Sequence, residues 1–276
     1  MTDWLAVCRE ATLAVRRGLD ELPTRIEREP RRGTGEGGDE TTAIDAAAEA
    51  AVVSRLERLH AEGVDFTLVS EELGIRPYGR DADALIVVVD PIDGSVNAKR
   101  GLAFFAVSIA VAEGLTMDDV SFGYVADLGN GEEWTARRGE GAYLNGRPLA
   151  GPGPKERVEI LDFEATTTDR VAESAPAMRG LADRLRVMGS LALSLCHLAA
   201  GRVDAVCSLK PCRSVDVAAA QLLVRERGLV VELPDAPWFG RAPLDLVGRS
   251  RIVAAANVEL CDELATRLGA FPRPGP

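Results

Sequence analysis

Ala84-Leu85-Ile86-Val87-Val88-Val89 runs directly into Asp90-Pro91-Ile92-Asp93-Gly94-Ser95-Val96-Asn97. The first six residues are apolar without a break, three of them consecutive valines, which predicts a strand buried on both faces. Two carboxylates stand where that strand surfaces, separated only by Pro-Ile. Proline fixes φ and removes a backbone donor, and Gly94 opens turn conformations closed to other residues, so Asp90 and Asp93 can face one point. Two anions in one small volume repel unless a positive charge lies between them. A hard divalent cation such as Mg²⁺, bound through oxygen ligands only, satisfies that arrangement.

The whole chain is consistent with a large folded core around this strand. At 276 residues it has room for one big domain or two packed halves. Its 46% apolar and 27% charged content is ordinary for a globular protein. Apolar runs break too soon for a membrane span, and Trp4-Leu5-Ala6-Val7-Cys8-Arg9-Glu10 has the charges of an amphipathic helix, not of a signal peptide, so the expected compartment is cytoplasmic. The net charge of −11, without a basic tract, argues against nucleic acid as a partner. Cys8, Cys196, Cys207, Cys212 and Cys261 are scattered and odd in number, and read as small buried hydrophobes. His60 and His197 lie in helix-like stretches among apolar neighbours, which leaves little room for histidine-based nucleophilic catalysis.

In chain order, the first 25 residues predict one helix closed by Pro23. The charged, glycine-rich stretch from Arg28 to Glu40 reads as a mobile surface loop. A second helix covers Ala46 to about Glu62, with Asp45 at its start. Phe66 to Val69 is a strand that delivers Ser70-Glu71-Glu72 just past its end. Strands at 104–111, 122–127, 133–136 and 141–146, the last turning at Asn145-Gly146, make an antiparallel meander, with Trp134 and Tyr143 expected in the core. That density of strands predicts an α/β (α+β) layered sandwich.

Ala150-Gly151-Pro152-Gly153-Pro154 is the natural seam between an N-terminal half, 1–149, carrying most of the acids, and a C-terminal half, 150–276, carrying Asp216. In the second half Val158 to Phe163 reads as a strand, and Leu181 to Leu185 as a continuing helix. Gly189-Ser190 opens an apolar helix, an arrangement that serves equally as an anion site or as a plain N-cap. Ser214 starts another helix with Asp216 in its first turn.

Together these pieces resemble the inositol monophosphatase family of magnesium-dependent, lithium-sensitive phosphatases. The resemblance rests on Ser70-Glu71-Glu72, Asp90-Pro91-Ile92-Asp93-Gly94-Ser95 with Asn97, Gly189-Ser190, Gly201-Arg202-Val203-Asp204-Ala205 and Asp216-Val217-Ala218-Ala219-Ala220, in the family's order across nearly the whole chain. Gly-Gly-Asp before Thr41-Thr42-Ala43-Ile44-Asp45, together with Leu115-Thr116-Met117-Asp118-Asp119, looks most like the archaeal-type branch, whose members hydrolyse both inositol 1-phosphate and fructose 1,6-bisphosphate.

The resemblance implies alternating helix and sheet layers, two or three Mg²⁺ per site with Mn²⁺ as an alternative, and a homodimer. Glu71, Asp90 and the Ile92 carbonyl would hold one ion, and Asp90, Asp93 and Asp216 a second. Water would be the nucleophile, oriented by Ser95 and by Asp45 or Glu71. Gly94 and Ser95 would hold the phosphate through their backbone, Gly189 and Ser190 would meet the sugar or cyclitol, and Arg213 or Lys210 would meet a second phosphate. Ser95 stands where threonine is usual, Val215 where tryptophan is common, and Glu36 where the archaeal type tends to have lysine. The expected substrate is inositol 1-phosphate, then fructose 1,6-bisphosphate, with 3′-phosphoadenosine nucleotides third. An inactive metal- and phosphate-binding regulator is the rival from another class.

Overall fold

In the computed structural model, which describes residues 2–269 except 39, 152, 154, 156 and 237, the run at 84–89 lies inside the larger of two main sheets. The chain opens with α1 (Trp4–Asp20), α2 (Arg25–Arg28), the hairpin β1 (Arg31–Thr34) and β2 (Glu40–Thr42), and α3 (Ala43–Ala61). Then come β3 (Phe66–Ser70), β4 (Gly74–Tyr78), β5 (Ile86–Asp93), the short α4 (Ser95–Arg100), β6 (Ala106–Ala112), β7 (Val120–Asp127), β8 (Glu133–Arg137), β9 (Gly141–Leu144) and β10 (Arg147–Pro148). The remainder is β11 (Val158–Glu164), α5 (Thr168–Ser174), β12 (Ala182–Arg186), α6 (Leu191–Ala199), β13 (Ala205–Ser208), α7 (Ser214–Glu226), β14 (Val230–Glu232), β15 (Val253–Ala255) and α8 (Val258–Arg267).

The eight-stranded sheet runs β10-β9-β8-β7-β6-β5-β3-β4, an antiparallel meander except where β3 pairs parallel with β5. The five-stranded sheet runs β12-β11-β13-β15-β14, with β11 parallel to both its neighbours. Side chains alternate across β5. Val87 and Val89 pack with α1 and α3, whereas Ile86 and Val88 pack with α6 and α7. Full burial of each such side chain contributes roughly 1.5–3 kcal/mol, which explains why this strand tolerates polar residues only at its end. Val206 and Ala254 of the second sheet reach the same α6/α7 layer, and the far face of that sheet, with Leu161, Phe163 and Ala205, is covered by α8. The layers are therefore helix, sheet, helix, sheet, helix, as the sandwich reading predicts.

Three local expectations change. Arg28 to Glu40 is not simply a loop: its ends pair as β1 and β2, and its glycines serve the turn, Gly38 at φ +95°. Leu181 to Leu185 is not helical but enters β12, because Gly180 at φ +78° stops the preceding turn and pairing along β11 overrides the local helix preference. Tyr143 is half-buried near the sheet edge and donates to the Glu140 carbonyl at 3.0 Å, while Trp134 is fully buried. The expected seam at 150–154 includes Pro152 and Pro154, which lie outside the described residues.

One close approach matters for the site. An added Cβ on Gly123 of β7 would lie 2.5 Å from the Ala219 carbonyl oxygen, so the absence of a side chain there is what lets α7 lie on the sheet.

Candidate active site

Asp90 is the fifth residue of β5 and is 2% exposed. Its Oδ1 accepts from the Ile92 amide at 3.0 Å, and the pairing of β5 with β6 slips between Asp90 and Asp93. This bulge reorients the strand end. Ile92 keeps its side chain in the core, and its carbonyl accepts from the Ser95 hydroxyl at 3.1 Å. Gly94 follows at φ +92°, and a Cβ there would meet the Gly189 carbonyl at 2.9 Å, so both conformation and space require glycine.

β3 lies parallel beside β5, with Ser70 opposite Val89, and so sets Glu71 next to Asp90. α7 brings Asp216 to the same point, and carboxylate oxygens of Glu71, Asp90 and Asp216 lie within 4.8 Å of one another. Asp93 is one step further along. Its Oδ2 accepts from the Ser190 hydroxyl at 2.6 Å and from the Ala192 amide at 2.7 Å. Asp45 and Asp216 are held alike: each is the third residue of its helix and uses Oδ2 to accept an amide three residues back, Thr42 at 2.9 Å and Arg213 at 2.6 Å. Three helix N-termini, those of α3, α6 and α7, thus bring their positive dipole ends to the acids.

Burial, and after it the charges of Glu71, Asp93 and Asp216, push the Asp90 carboxyl well above its ordinary range. Burial likewise raises Asp93 to about 6, against the opposing bond from Ser190. The residues present fit hard divalent cations: the donors are oxygens, their charges crowd together, and Asp45 Oδ1 is buried without a hydrogen-bond partner although Asp45 lines the cavity. Arg213, expected at a second phosphate, instead sits among these acids, with Nη2 2.5 Å from Glu71 Oε1 and 3.5 Å from Asp216 Oδ1.

The acids form the floor of a cavity of about 930 Å³. Lys99, Arg170, Lys210 and Arg249 contribute to its wall. Gly189 lines it too, but Ser190 is 1% exposed and its hydroxyl faces Asp93, so it positions that carboxylate instead of reaching a substrate. The five cysteines are buried and free, as their scatter predicts.

Sequence reading missed Asp162 and Glu164. Both are buried on β11, two residues apart on one face, and the Ser194 hydroxyl lies 2.7 Å from one and 2.9 Å from the other. Glu164 also accepts the Gly189 amide at 2.9 Å and so holds the turn before α6. The signal was available: Ile160-Leu161-Asp162-Phe163-Glu164 puts two acids at strand period inside an apolar segment.

Burial raises Asp162 to about 6, Glu164 to about 8 and Glu49, beside Ser70, to about 7, and lowers His197 to about 4. For a carboxyl raised in the folded state, the native protein binds more protons than the unfolded chain between the two values, so stability falls as pH rises through that window. His197 acts in the opposite sense, but only between about 4 and 6.5. From pH 6.5 to 8 the carboxyls act alone. The cation-free protein is therefore expected to lose about 5 °C in Tm over that range, chiefly through Glu49 and Glu164, and saturating divalent cation to reduce the loss by holding Asp90 ionised. A flat or rising Tm in thermal melts without cation would contradict this.

A relative from Methanothermobacter thermautotrophicus, described as a fructose-1,6-bisphosphatase/inositol-1-monophosphatase, is 33% identical over 245 residues, 85% of each chain. One of the same description from Archaeoglobus fulgidus is 34% identical over 257 residues, 92% of this chain and 93% of that one. A solved inositol monophosphatase-fructose 1,6-bisphosphatase shares the fold at a TM-score of 0.82 with 24% identity, covering 96% of this chain and 100% of its own. The model of the inositol monophosphatase family matches residues 5–269, a span that takes in every acid of the cavity floor. The chain belongs to the inositol monophosphatase family.

Proposed function

We propose that this chain is a Mg²⁺-dependent phosphomonoesterase acting on a small cyclitol or sugar phosphate, with inositol 1-phosphate as first substrate. The observation that carries this is the convergence of Glu71, Asp90 and Asp216, with Asp93 alongside, on the floor of a cavity that Asp45 also lines. Glu71, Asp90, the Ile92 carbonyl, Asp93 and Asp216 would hold the cations, which when bound offset phosphate charge and make water acidic enough to attack near neutral pH.

The rest falls to the chain's own groups. The Ser95 hydroxyl, which donates to the Ile92 carbonyl, would orient the attacking water, and Asp45 Oδ1 or Glu71 would take its proton. Oxygen then bonds to phosphorus as the ester P–O bond breaks, the departing alkoxide takes a proton from a solvent water, and the proton held by Asp45 or Glu71 returns to solvent. Backbone groups of Gly94 and Ser95 would hold the phosphate, and Gly189 the ring side.

The lysine and arginines of the cavity wall favour a second reading, fructose 1,6-bisphosphate. Arg170, Lys210 and Arg249 offer positive charge where a second phosphate would lie. We further propose a homodimer in the cytoplasm, which the family resemblance supports; sedimentation tests the dimer. No helix among the described residues is long and apolar enough to cross a membrane.

The test is phosphate release from inositol 1-phosphate, fructose 1,6-bisphosphate and 3′-phosphoadenosine 5′-phosphate, each with and without Mg²⁺. Turnover of the first or second that requires Mg²⁺ is expected, and Ser95→Ala is expected to lower kcat by about 10²-fold. Cation binding without hydrolysis of any of the three would favour an inactive regulator, and near-normal turnover of Ser95→Ala would remove that hydroxyl from the mechanism.

A further inference from the structure

Arg213 sets a fixed cation among the acids. Its backbone amide donates to Asp216 Oδ2 at 2.6 Å, and its 12% exposed side chain turns back to the same carboxylate and to Glu71. Its Nη1 lies 3.5 Å from the Gly37 carbonyl oxygen, and Arg249 Nη2 donates to that same oxygen at 3.0 Å. The Gly37 amide in turn donates to the Glu71 carbonyl at 2.8 Å. Gly37, in the connection between β1 and β2, is thus clamped over Glu71 by two arginines, one of which pairs with the acids. The fit is close: a Cβ on Gly37 would lie 2.6 Å from Arg213 Nη1.

A guanidinium stays charged at any physiological pH, so Arg213 opposes the negative field of these acids permanently. A divalent cation held by Glu71 and Asp216 meets that charge. If the guanidinium stays, the two repel; if it leaves, its ion pairs and its hold on Gly37 are lost. Both routes weaken cation binding.

We propose that Arg213 is a tethered competitor for the divalent cation: it sets cation affinity below that of the bare acids, and on cation binding it releases its side of the clamp on Gly37. This rests on the metal-dependent reading above, and it concerns affinity and the clamp, not the chemical step.

The test uses the full chain, stripped with chelator and titrated with Mn²⁺ by calorimetry. Arg213→Gln is expected to tighten Mn²⁺ binding about tenfold, or about 1.4 kcal/mol. Arg213→Lys, whose compact ammonium does not reproduce the planar fork, is expected to tighten it about threefold, and it serves if the glutamine variant does not fold. Arg249→Gln loosens the same carbonyl without touching the acids and is expected to stay within about twofold of the parent. Hydrogen exchange at residues 31–42 of the parent is expected to rise on adding Mn²⁺.

Equal or weaker binding by both Arg213 variants, while the parent binds, overturns the competition and leaves the metal reading standing. Equal tightening by Arg249→Gln overturns it too, because the clamp alone would then account for the effect. Unchanged exchange at 31–42 overturns the release. Absence of Mn²⁺ binding in the parent and in every variant overturns the metal reading, and this inference with it.

Discussion

Asp93→Asn is expected to lower phosphate release by about 10³-fold or more while raising the melting temperature of the cation-free protein. Ser190 and Ala192 both donate to Asp93 Oδ2, so the amide oxygen of an asparagine must take that place. Its NH₂ then replaces the other carboxylate oxygen. A donor without a lone pair is set against a cation, so a ligand is lost although the bonds to α6 remain. Stability moves the other way because the substitution removes a carboxyl that loss of solvation raises to about 6. Activity assays and thermal melts on one preparation check both signs. Normal turnover would remove Asp93 from the cation site, and a lower Tm would show that its bonds to α6 need the full carboxylate.

Gly123→Ala is expected to destabilise the fold by about 2–3 kcal/mol and to weaken cation binding, although Gly123 is remote from the acids in sequence. The added methyl would stand 2.5 Å from the Ala219 carbonyl oxygen and 3.2 Å from its carbon, both backbone atoms that no rotamer change can move. α7 has to shift as a unit, and Asp216 lies on it one turn before Ala219. Denaturant melts read the first effect, and calorimetry with a divalent cation the second. A Tm within about 1 °C of the parent would mean that α7 is free to slide on the sheet. Lower stability with unchanged affinity would mean that Asp216 follows its other ligands and not its helix.

The parts of the fold that are legible in the sequence are those where one physical demand dominates. β5 has apolar residues on both faces because helices cover both, and the acids at its end, with Gly94, have no bland alternative that explains all three. α6 and α7 announce themselves through long apolar and alanine-rich runs. β12 is illegible because its residues are half-exposed or exposed, so burial leaves no period, and only pairing with β11 makes it a strand. The hairpin at 31–42 is obscured by glycines that signal a turn without revealing the short paired ends. Within the site, residue types point to the acids that converge, but the sequence cannot say which hydroxyl faces which carboxylate. That is why Ser190 reads as a substrate contact until the structure sets it against Asp93, and why Arg213 reads as a phosphate ligand until it lies among acids.

The acids and the cavity wall are built from different material. Glu71, Asp90 and Asp93 sit in or beside a hydrogen-bonded ladder, and Asp45 and Asp216 are fixed by the first turns of helices, whereas Thr166, Lys210 and Arg249 stand on connections between elements, and Lys99 and Arg170 on the short helices α4 and α5. Drift in those connections leaves the acid framework where it is. A lineage with this architecture is free to exchange one phosphate ester for another by changing these connections and two short helices, so catalytic power and substrate choice are separately heritable.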